Sequence, residues 1–310
     1  MRLFILQVFV VLLLICDVSY CQVSLNMAAI SESAKHTIID ISMDEDECPF
    51  SIDGWYYSQA GVASTSEGLV AMYRRSDFHT ANYTDIMIAY SSDTGKTWYG
   101  HHSIARADVW NQGACWVSPQ LSKLSDGRLV IIADLGKRNT GQDWPMLSQW
   151  QLPNRGMANY LFWSEDNGKT WSSPQKIDEV GGEPSYIAEL ADGTLVFTRT
   201  KSRKTDKLWN PPMPWGNNYY HNELVRSHDG GKTWDDVASL ADDPHQSDCE
   251  VGVAEVTDGR LMAITRVGLG NGVFAQPSRF VDGDNGGLEW NDHRLGPVYG
   301  QRPILGRLKS

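Results

Sequence analysis

The chain is poor in cysteine, poor in positive charge and, beyond its first residues, without a long apolar run. There are five cysteines in 310 residues. Those beyond the N-terminal segment, Cys48, Cys115 and Cys249, are an odd set with no metal-ligand spacing. They exclude a disulfide scaffold, since at most one bridge can form, and they offer no zinc module. A formal net charge of −11 excludes the basic footprint expected of a nucleic-acid or anionic-membrane partner. A small anionic ligand is not excluded, because it answers to local arginines and not to the sum. After residue 21 no segment approaches the ~20 apolar residues a spanning helix needs. The acidic run at 44–47 reads as a solvated turn in preference to a Ca²⁺ site, so neither a metal nor a cofactor is expected.

The one apolar run lies at the start. Arg2, the stretch from Leu3 to Ile15 and the small-x-small triplet Ser19-Tyr20-Cys21 predict an export signal over 1–21, followed by a flexible leader over 22–35. Asn82-Tyr83-Thr84 is an N-glycosylation sequon, used only in a eukaryotic source. The expected mature protein is secreted.

What the chain has in abundance is repetition. SSDTGKTW at 91–98, SEDNGKTW at 164–171 and SHDGGKTW at 227–234 share the frame S-x-D-x-G-K-T-W, and GDNGGLEW at 283–290 is a decayed fourth copy. Their Trp residues are 73, 63 and 56 positions apart, an interval that means stacked or radial units in place of one continuous core. Ser and Asp suit the backbone of a tight turn, and Gly at the fifth place permits positive φ. Thr-Trp then enters the next strand with Trp as a buried wedge. Upstream of these turns, SEGLVAMYRR at 66–75, SDGRLVIIADL at 125–135, ADGTLVFTRT at 191–200 and TDGRLMAITR at 257–266 pair an acidic-Gly turn with an apolar run, a hairpin signal.

Each unit therefore reads as a four-stranded antiparallel meander. The fold class is all-β: a β-propeller of four-stranded antiparallel blades. A sandwich is the lesser reading, because sandwiches do not repeat one turn so faithfully. Blades fall at approximately 60–108, 115–178, 183–240 and 249–295 within a propeller domain over 36–310. HTIIDIS at 36–42 and PVYGQRPILGRLKS at 297–310 read as partial units, giving about four to five blades. Either these pieces share a fifth blade or the pattern belongs to a longer chain. Two connections, 137–158 and 201–222, are longer than hairpins need and carry Trp144, Trp150, Trp209, Trp215, Tyr219 and Tyr220. Flat aromatics on long loops suit sugar rings, which makes Trp209 and Trp215 candidate glycan contacts, and they suit a hydrophobic cap equally well.

The repeated turn, the Asp-Gly rhythm and the signal together resemble the sialidase (neuraminidase) superfamily of Asp-box or BNR-repeat propellers, over roughly residues 60–296. The resemblance implies a six-bladed propeller with its Asp-boxes at the periphery, so the boxes alone imply no catalysis. It implies exo-acting hydrolysis of terminal, sialic-acid-type sugars of glycoconjugates through a Tyr adduct. An arginine triad would hold the sugar carboxylate, an Asp would serve as acid/base, and a Glu would activate the Tyr. CEVGVAEVTDGRLMAITR at 249–266 is similar to the segment running from that Glu to the second Arg, which assigns Glu250 and Arg266. A carboxylate beside a phenol favours its deprotonation, and Arg clamps an anion with two parallel hydrogen bonds.

Other segments match less closely. EPSYIAELADGTLVFTR at 183–199 is a near copy carrying Glu183 and Arg199. The first blade departs from the family: YYSQAGVAS at 56–64 has neither Arg nor Pro where Arg-Ile-Pro belongs. Arg74, Arg75, Asp77 and His79 follow its apolar strand and suit an anion or general acid/base work. In the second blade VSPQLSKLSDGRLVIIAD at 117–134 offers Asp134 as an alternative acid, in a register that cannot hold together with Glu250. The Tyr nucleophile and third Arg would lie beyond the fourth blade. A related carbohydrate-active enzyme for another sugar, and a non-catalytic propeller binding glycan or protein, remain open beside the hydrolase.

Overall fold

The structure, a computed structural model, describes residues 54–78, 81–137, 157–179, 182–204, 218–242, 248–267, 279–295 and 303–305. The expected signal, leader and partial unit over 36–42, together with His79, Trp144, Trp150, Trp209 and Trp215, lie outside the described residues.

Among the described residues there are four antiparallel sheets, the blades of a propeller in chain order. Blade 1 comprises β1 (Tyr56–Thr65), β2 (Gly68–Ser76), β3 (Tyr83–Ser91) and β4 (Tyr99–Asp108). In blade 2 the inner strand is split into β5 (Ala114–Trp116) and β6 (Gln120–Lys123), followed by β7 (Leu129–Lys137), β8 (Met157–Ser164) and β9 (Gln175–Lys176). Blade 3 holds β10 (Ala188–Glu189), β11 (Leu195–Lys204), β12 (Asn218–Ser227) and β13 (Asp236–Ala241). Blade 4 holds β14 (Asp248–Thr257), β15 (Arg260–Val267), β16 (Arg279–Asp284) and β17 (Glu289–Leu295). The meander read from the sequence is the one observed. Strands β11 and β12 run further than the sequence suggested, so Tyr219 and Tyr220 are buried strand residues and not loop aromatics. Among the described residues no helix is long and apolar enough to cross a membrane.

Both faces of a middle blade are covered, which explains why its central strand is apolar without alternation. Successive side chains of a strand point to opposite faces. On β7, Ile131 joins Met72, Ile88 and Phe162 in the seam between blades 1 and 2. Its neighbour Ile132 packs with Leu161, Phe197 and Trp234 between blades 2 and 3. The seam between blades 3 and 4 is filled by Val196, Leu224, Val253 and Leu261. Each such fully buried side chain stabilises by about 1.5–3 kcal/mol relative to exposure.

The repeated octapeptides are the turns between third and fourth strands, and their chemistry is the same in three blades. In the first, Ser91 Oγ accepts the Gly95 N–H (2.9 Å), while Asp93 accepts the Thr97 N–H (2.9 Å) and the Thr97 hydroxyl (2.6 Å). Asp166 and Asp229 hold Thr170 and Thr233 likewise. Left-handed backbone is needed at the fourth place as well as the fifth: Thr94 (φ 63), Asn167 (φ 61) and Gly230 (φ 73) precede Gly95, Gly168 and Gly231. The Trp wedge is fully buried only at Trp234; Trp98, Trp171 and Trp290 are half-buried.

A second link also repeats. Glu189 of blade 3 accepts the N–H and hydroxyl of Ser125 in the Asp-Gly turn of blade 2 (2.6 and 2.7 Å). Glu255 of blade 4 accepts the N–H of Ala191 in the corresponding turn of blade 3 (2.7 Å).

Thr94 is a β-branched residue held in a conformation that L-residues other than Asn and Gly avoid at roughly 1–2 kcal/mol. Thr94→Asn, the residue blade 2 uses, is therefore expected to raise the urea midpoint. Hydrogen bonds from Thr97 hold the Asp93 pKa down, to about 2. A depressed carboxyl stabilises the fold above its unfolded value of about 3.9 and ceases to as pH falls through the folded value. Asp93→Asn should thus lower the thermal midpoint at pH 7, with the difference from wild type shrinking between pH 4 and 2.

Candidate functional site

The polar side chains of interest lie at the strand ends opposite the Asp-boxes. There the inner strands are bulged. Gln59 (φ 57), Glu183 (φ 51) and Glu250 (φ 48) occupy the bulge of blades 1, 3 and 4, all with left-handed backbone. A bulge re-aims a side chain that a regular strand would bury in a seam. Strain of about 1–3 kcal/mol at one place in several repeats marks that place as over-determined by its surroundings.

In blade 4 the register slips between Cys249 and Val251, opposite Arg266. Glu250 Oε2 then meets Arg266 Nη1 at 2.7 Å, with the two side chains 10% and 11% exposed. Burial of the guanidinium works to lower its pKa; the Glu250 carboxylate outweighs that, with Cys249 and Glu183 adding, and the net shift is upward. Arg266 is therefore a fixed cation held by the Glu250 carboxylate. Cys249 beside it and Cys115 in blade 2 are buried.

Glu183 reaches this region through blade 2. Its N–H donates to Asp134 Oδ2 (3.0 Å), while Asp134 Oδ1 accepts the Ser118 N–H (2.7 Å). Asp134 is fully buried and splits the inner strand of its blade, because Val117 N–H bonds the Asp134 carbonyl and Ser118 N–H its carboxylate. In this geometry it fixes the backbone on either side of the seam. Asp134, Glu183, Glu250 and Arg266 thus belong to one end of three consecutive blades.

Other residues singled out from the sequence lie elsewhere. Arg74 points into the seam with blade 2 and donates to the carbonyls of Val117 (2.7 Å) and Phe78 (3.5 Å). Arg75, next in the strand, faces the other way, bonding Asp85 (2.6 Å) and lying over the Trp55 ring. Asp77 Oδ1 caps the N–H groups of Phe78, Asn82 and Tyr83. The first-blade cluster is therefore dispersed over two faces and a loop. Arg199 is buried in the seam between blades 2 and 3, between Asp178 (2.9 Å) and Glu223 (2.8 Å). Burial raises the Asp178 pKa against the pull of Asn159 and Arg199. Burial would raise Glu223 also, but His221, Lys201 and Arg199 outweigh it and hold that carboxyl at about 2.

The sequence spacing of Glu183 to Arg199 equals that of Glu250 to Arg266, yet the two arginines face opposite seams. The inner strand of blade 3 carries two extra residues between the Gly182–Thr200 bridge and the Ala188–Val196 pair, where blade 4 carries one at Glu250. A one-residue offset reverses the face. The buried cluster of Asp178, Glu223 and His221 had no motif to announce it. Two cavities, of about 490 and 690 Å³, open between blades 3 and 4 at the turn end, lined by Asp192, Arg226, Glu255 and Asp258 in one and Tyr186, Glu189 and Leu305 in the other. Neither includes Glu250 or Arg266.

Repeated Asp-box turns on a meander of blades, with acids and an arginine at the far strand ends, define an Asp-box propeller. Residues 67–298 match the BNR repeat-like domain, and the chain belongs to that family, within the sialidase superfamily of β-propellers. It is 27% identical over 209 residues to a sialidase of Clostridium perfringens, covering 63% of this chain and 50% of that one. The chain spans about half the length of the curated relatives it matches. Among solved structures, a protein of unknown function from Dyadobacter fermentans superposes with a TM-score of 0.65 at 18% identity, over 82% of this chain and 73% of that one. A sialidase of Streptococcus pneumoniae superposes with a TM-score of 0.55 at 11% identity, over 79% and 52%. At such identities the structural likeness is one of fold.

Removing Arg199 leaves two buried acids without their shared cation. Arg199→Met is expected to cost on the order of 3 kcal/mol, read as a fall in the urea unfolding midpoint.

Proposed function

We propose that the chain is a secreted glycoside hydrolase of sialidase type that takes the terminal sugar of a glycoconjugate at the strand ends carrying Glu183, Glu250 and Arg266. The observation that carries this reading is the Glu250–Arg266 contact of 2.7 Å, formed by a strained bulge at the end of the blades away from the Asp-boxes. Arg266, held by Glu250, puts a permanent positive charge at these strand ends for an oxygen-rich substituent. Glu250 is placed to accept a proton from a hydroxyl or phenol brought beside it. Relatives that bear the name sialidase support the class of reaction, and the run from Arg2 to Ile15 supports export.

A second reading is favoured by one specific observation. Gln59 stands at the bulge of blade 1, and Arg75 and Asp77 are engaged by Asp85 and by loop N–H groups. A propeller that binds a terminal sugar without cleaving it suits that arrangement.

The test is release of a fluorophore from a panel of terminal glycosides, an α-sialoside and neutral hexosides, alongside equilibrium binding of the same sugars. Hydrolysis that falls at least ~100-fold in Glu250→Gln and Arg266→Ala, with unfolding midpoints kept, supports the hydrolase. Binding without turnover, lost in Arg266→Ala, supports the binder. Hydrolysis or binding indifferent to both substitutions puts the site elsewhere.

A further inference from the structure

We infer that Trp110 is a stacking platform for the second ring of a glycan whose terminal sugar enters at the Glu250–Arg266 strand ends, with Phe78 presented from a loop tied to the same turn. The inference rests on the reading that these strand ends bind a sugar.

Strand β4 runs away from the first Asp-box, so the connection from Asp108 into β5 lies at the far end of the blades. The loop from β2 to β3 lies there too. Trp110 in that connection and Phe78 in that loop are 69% and 65% exposed. Other large apolar side chains that stand open, Tyr99, Val237, Val256 and Leu288, lie at the turn end. A hydrogen-bonded path joins the two loops to the acids of the next blades. The Val109 N–H donates to the Asn82 carbonyl (2.9 Å), and Asp77 caps the N–H groups of Phe78 and Asn82. Arg74 donates to the carbonyls of both Phe78 and Val117. The Val117 N–H donates in turn to the Asp134 carbonyl, and the Asp134 carboxylate holds Glu183.

The turn that carries Trp110 is fixed before any ligand arrives. Asp108 accepts the Asn111 N–H (2.7 Å) and side-chain amide (2.8 Å), while its own N–H donates to Gln112 Oε1 (2.9 Å). The Gln112 N–H closes on the Asp108 carbonyl and the Gly113 N–H on that of Val109. Val109 is buried and anchors the turn from below. An indole left this open adds little to folding, so the wiring holds a flat, stiff side chain in place for something else. Such preorganisation spares the ordering cost of binding. The occupant is a neutral ring, because the charges near the platform are already spent. Asp77 and Asp108 serve N–H groups of their own loops, and Arg74 serves carbonyls. A pyranose offers an apolar C–H face to an aromatic plane and needs no charge there. The terminal sugar answers to Arg266, and the ring behind it answers to Trp110.

The experiment compares one-ring with two-ring ligands. Methyl α-sialoside is set against the methyl glycoside of sialyl-α2,3-galactose, and methyl β-galactoside against methyl β-lactoside. Affinities for wild type, Trp110→Ala and Trp110→Phe are measured by calorimetric titration. In the pair whose terminal sugar binds, wild type is expected to hold the two-ring ligand about 5–10-fold more tightly. That ratio should fall towards one in Trp110→Ala and survive in part in Trp110→Phe. Both variants should keep the wild-type unfolding midpoint, because the side chain is exposed. A second ring that adds no affinity in wild type overturns the inference and leaves the glycan reading standing. So does a ratio that a folded Trp110→Ala leaves unchanged. Sedimentation of the same samples covers the remaining occupant: self-association lost in Trp110→Ala, with the ratio unmoved, gives the indole to a second copy of the chain and overturns the inference. Failure of all four sugars to bind removes the glycan reading, and this inference with it.

Discussion

A sheet with apolar side chains on both faces must have both faces covered, and that constraint organises the molecule. Ile131 and Ile132 are neighbours in sequence yet belong to different seams. Every middle blade thus acts as a two-sided spacer, and its strand interiors are closed to polar chemistry unless an ion group is neutralised locally, as Arg199 is by Asp178 and Glu223. On a covered central strand such as β7 the exposed residue, Lys137, lies at the strand end. The turn end is committed to closing hairpins through Ser, Asp and Thr. The other end is where bulges divert Glu183 and Glu250 out of the seams.

That division separates architecture from chemistry. The Asp-box carboxylates are held by hydroxyl and backbone donors of their own turn and have no freedom to serve a substrate. Glu250 and Arg266, in contrast, form a contact that depends on a left-handed backbone at Glu250, which a glutamate disfavours. Asp134 sits between the two roles. It is a buried acceptor that fixes Ser118 and Glu183 at once, so the position of one bulged acid depends on the neighbouring blade.

The architecture was legible because a turn has to be written out in full each time it is used. Ser, Asp, Gly and Thr recur at fixed offsets, and each makes the same bond in three blades. The requirement for a left-handed fourth residue was present as well, hidden in Thr94, Asn167 and Gly230, since only two of those types advertise it. Of the candidate site, one contact was legible. Glu250 and Arg266 were named from their segment, and the contact between them follows. Arg199 shows where reading by spacing stops: an extra bulged residue in its blade turned an equal interval into the opposite face, and no residue type marks a bulge of that kind. The first-blade group failed to converge for the plainer reason that Arg74 and Arg75 are adjacent in a strand and must point apart.

The carboxylate ties between Asp-Gly turns bear on how such a chain is assembled and altered. Glu189 reaches back to Ser125 and Glu255 to Ala191, each across 64 positions, so the same clasp joins each of these blades to its predecessor and to nothing further away. A module that carries its own fastening can be duplicated, exchanged or appended as a cassette, because the receiving unit has only to supply a main-chain amide that any turn of this type exposes.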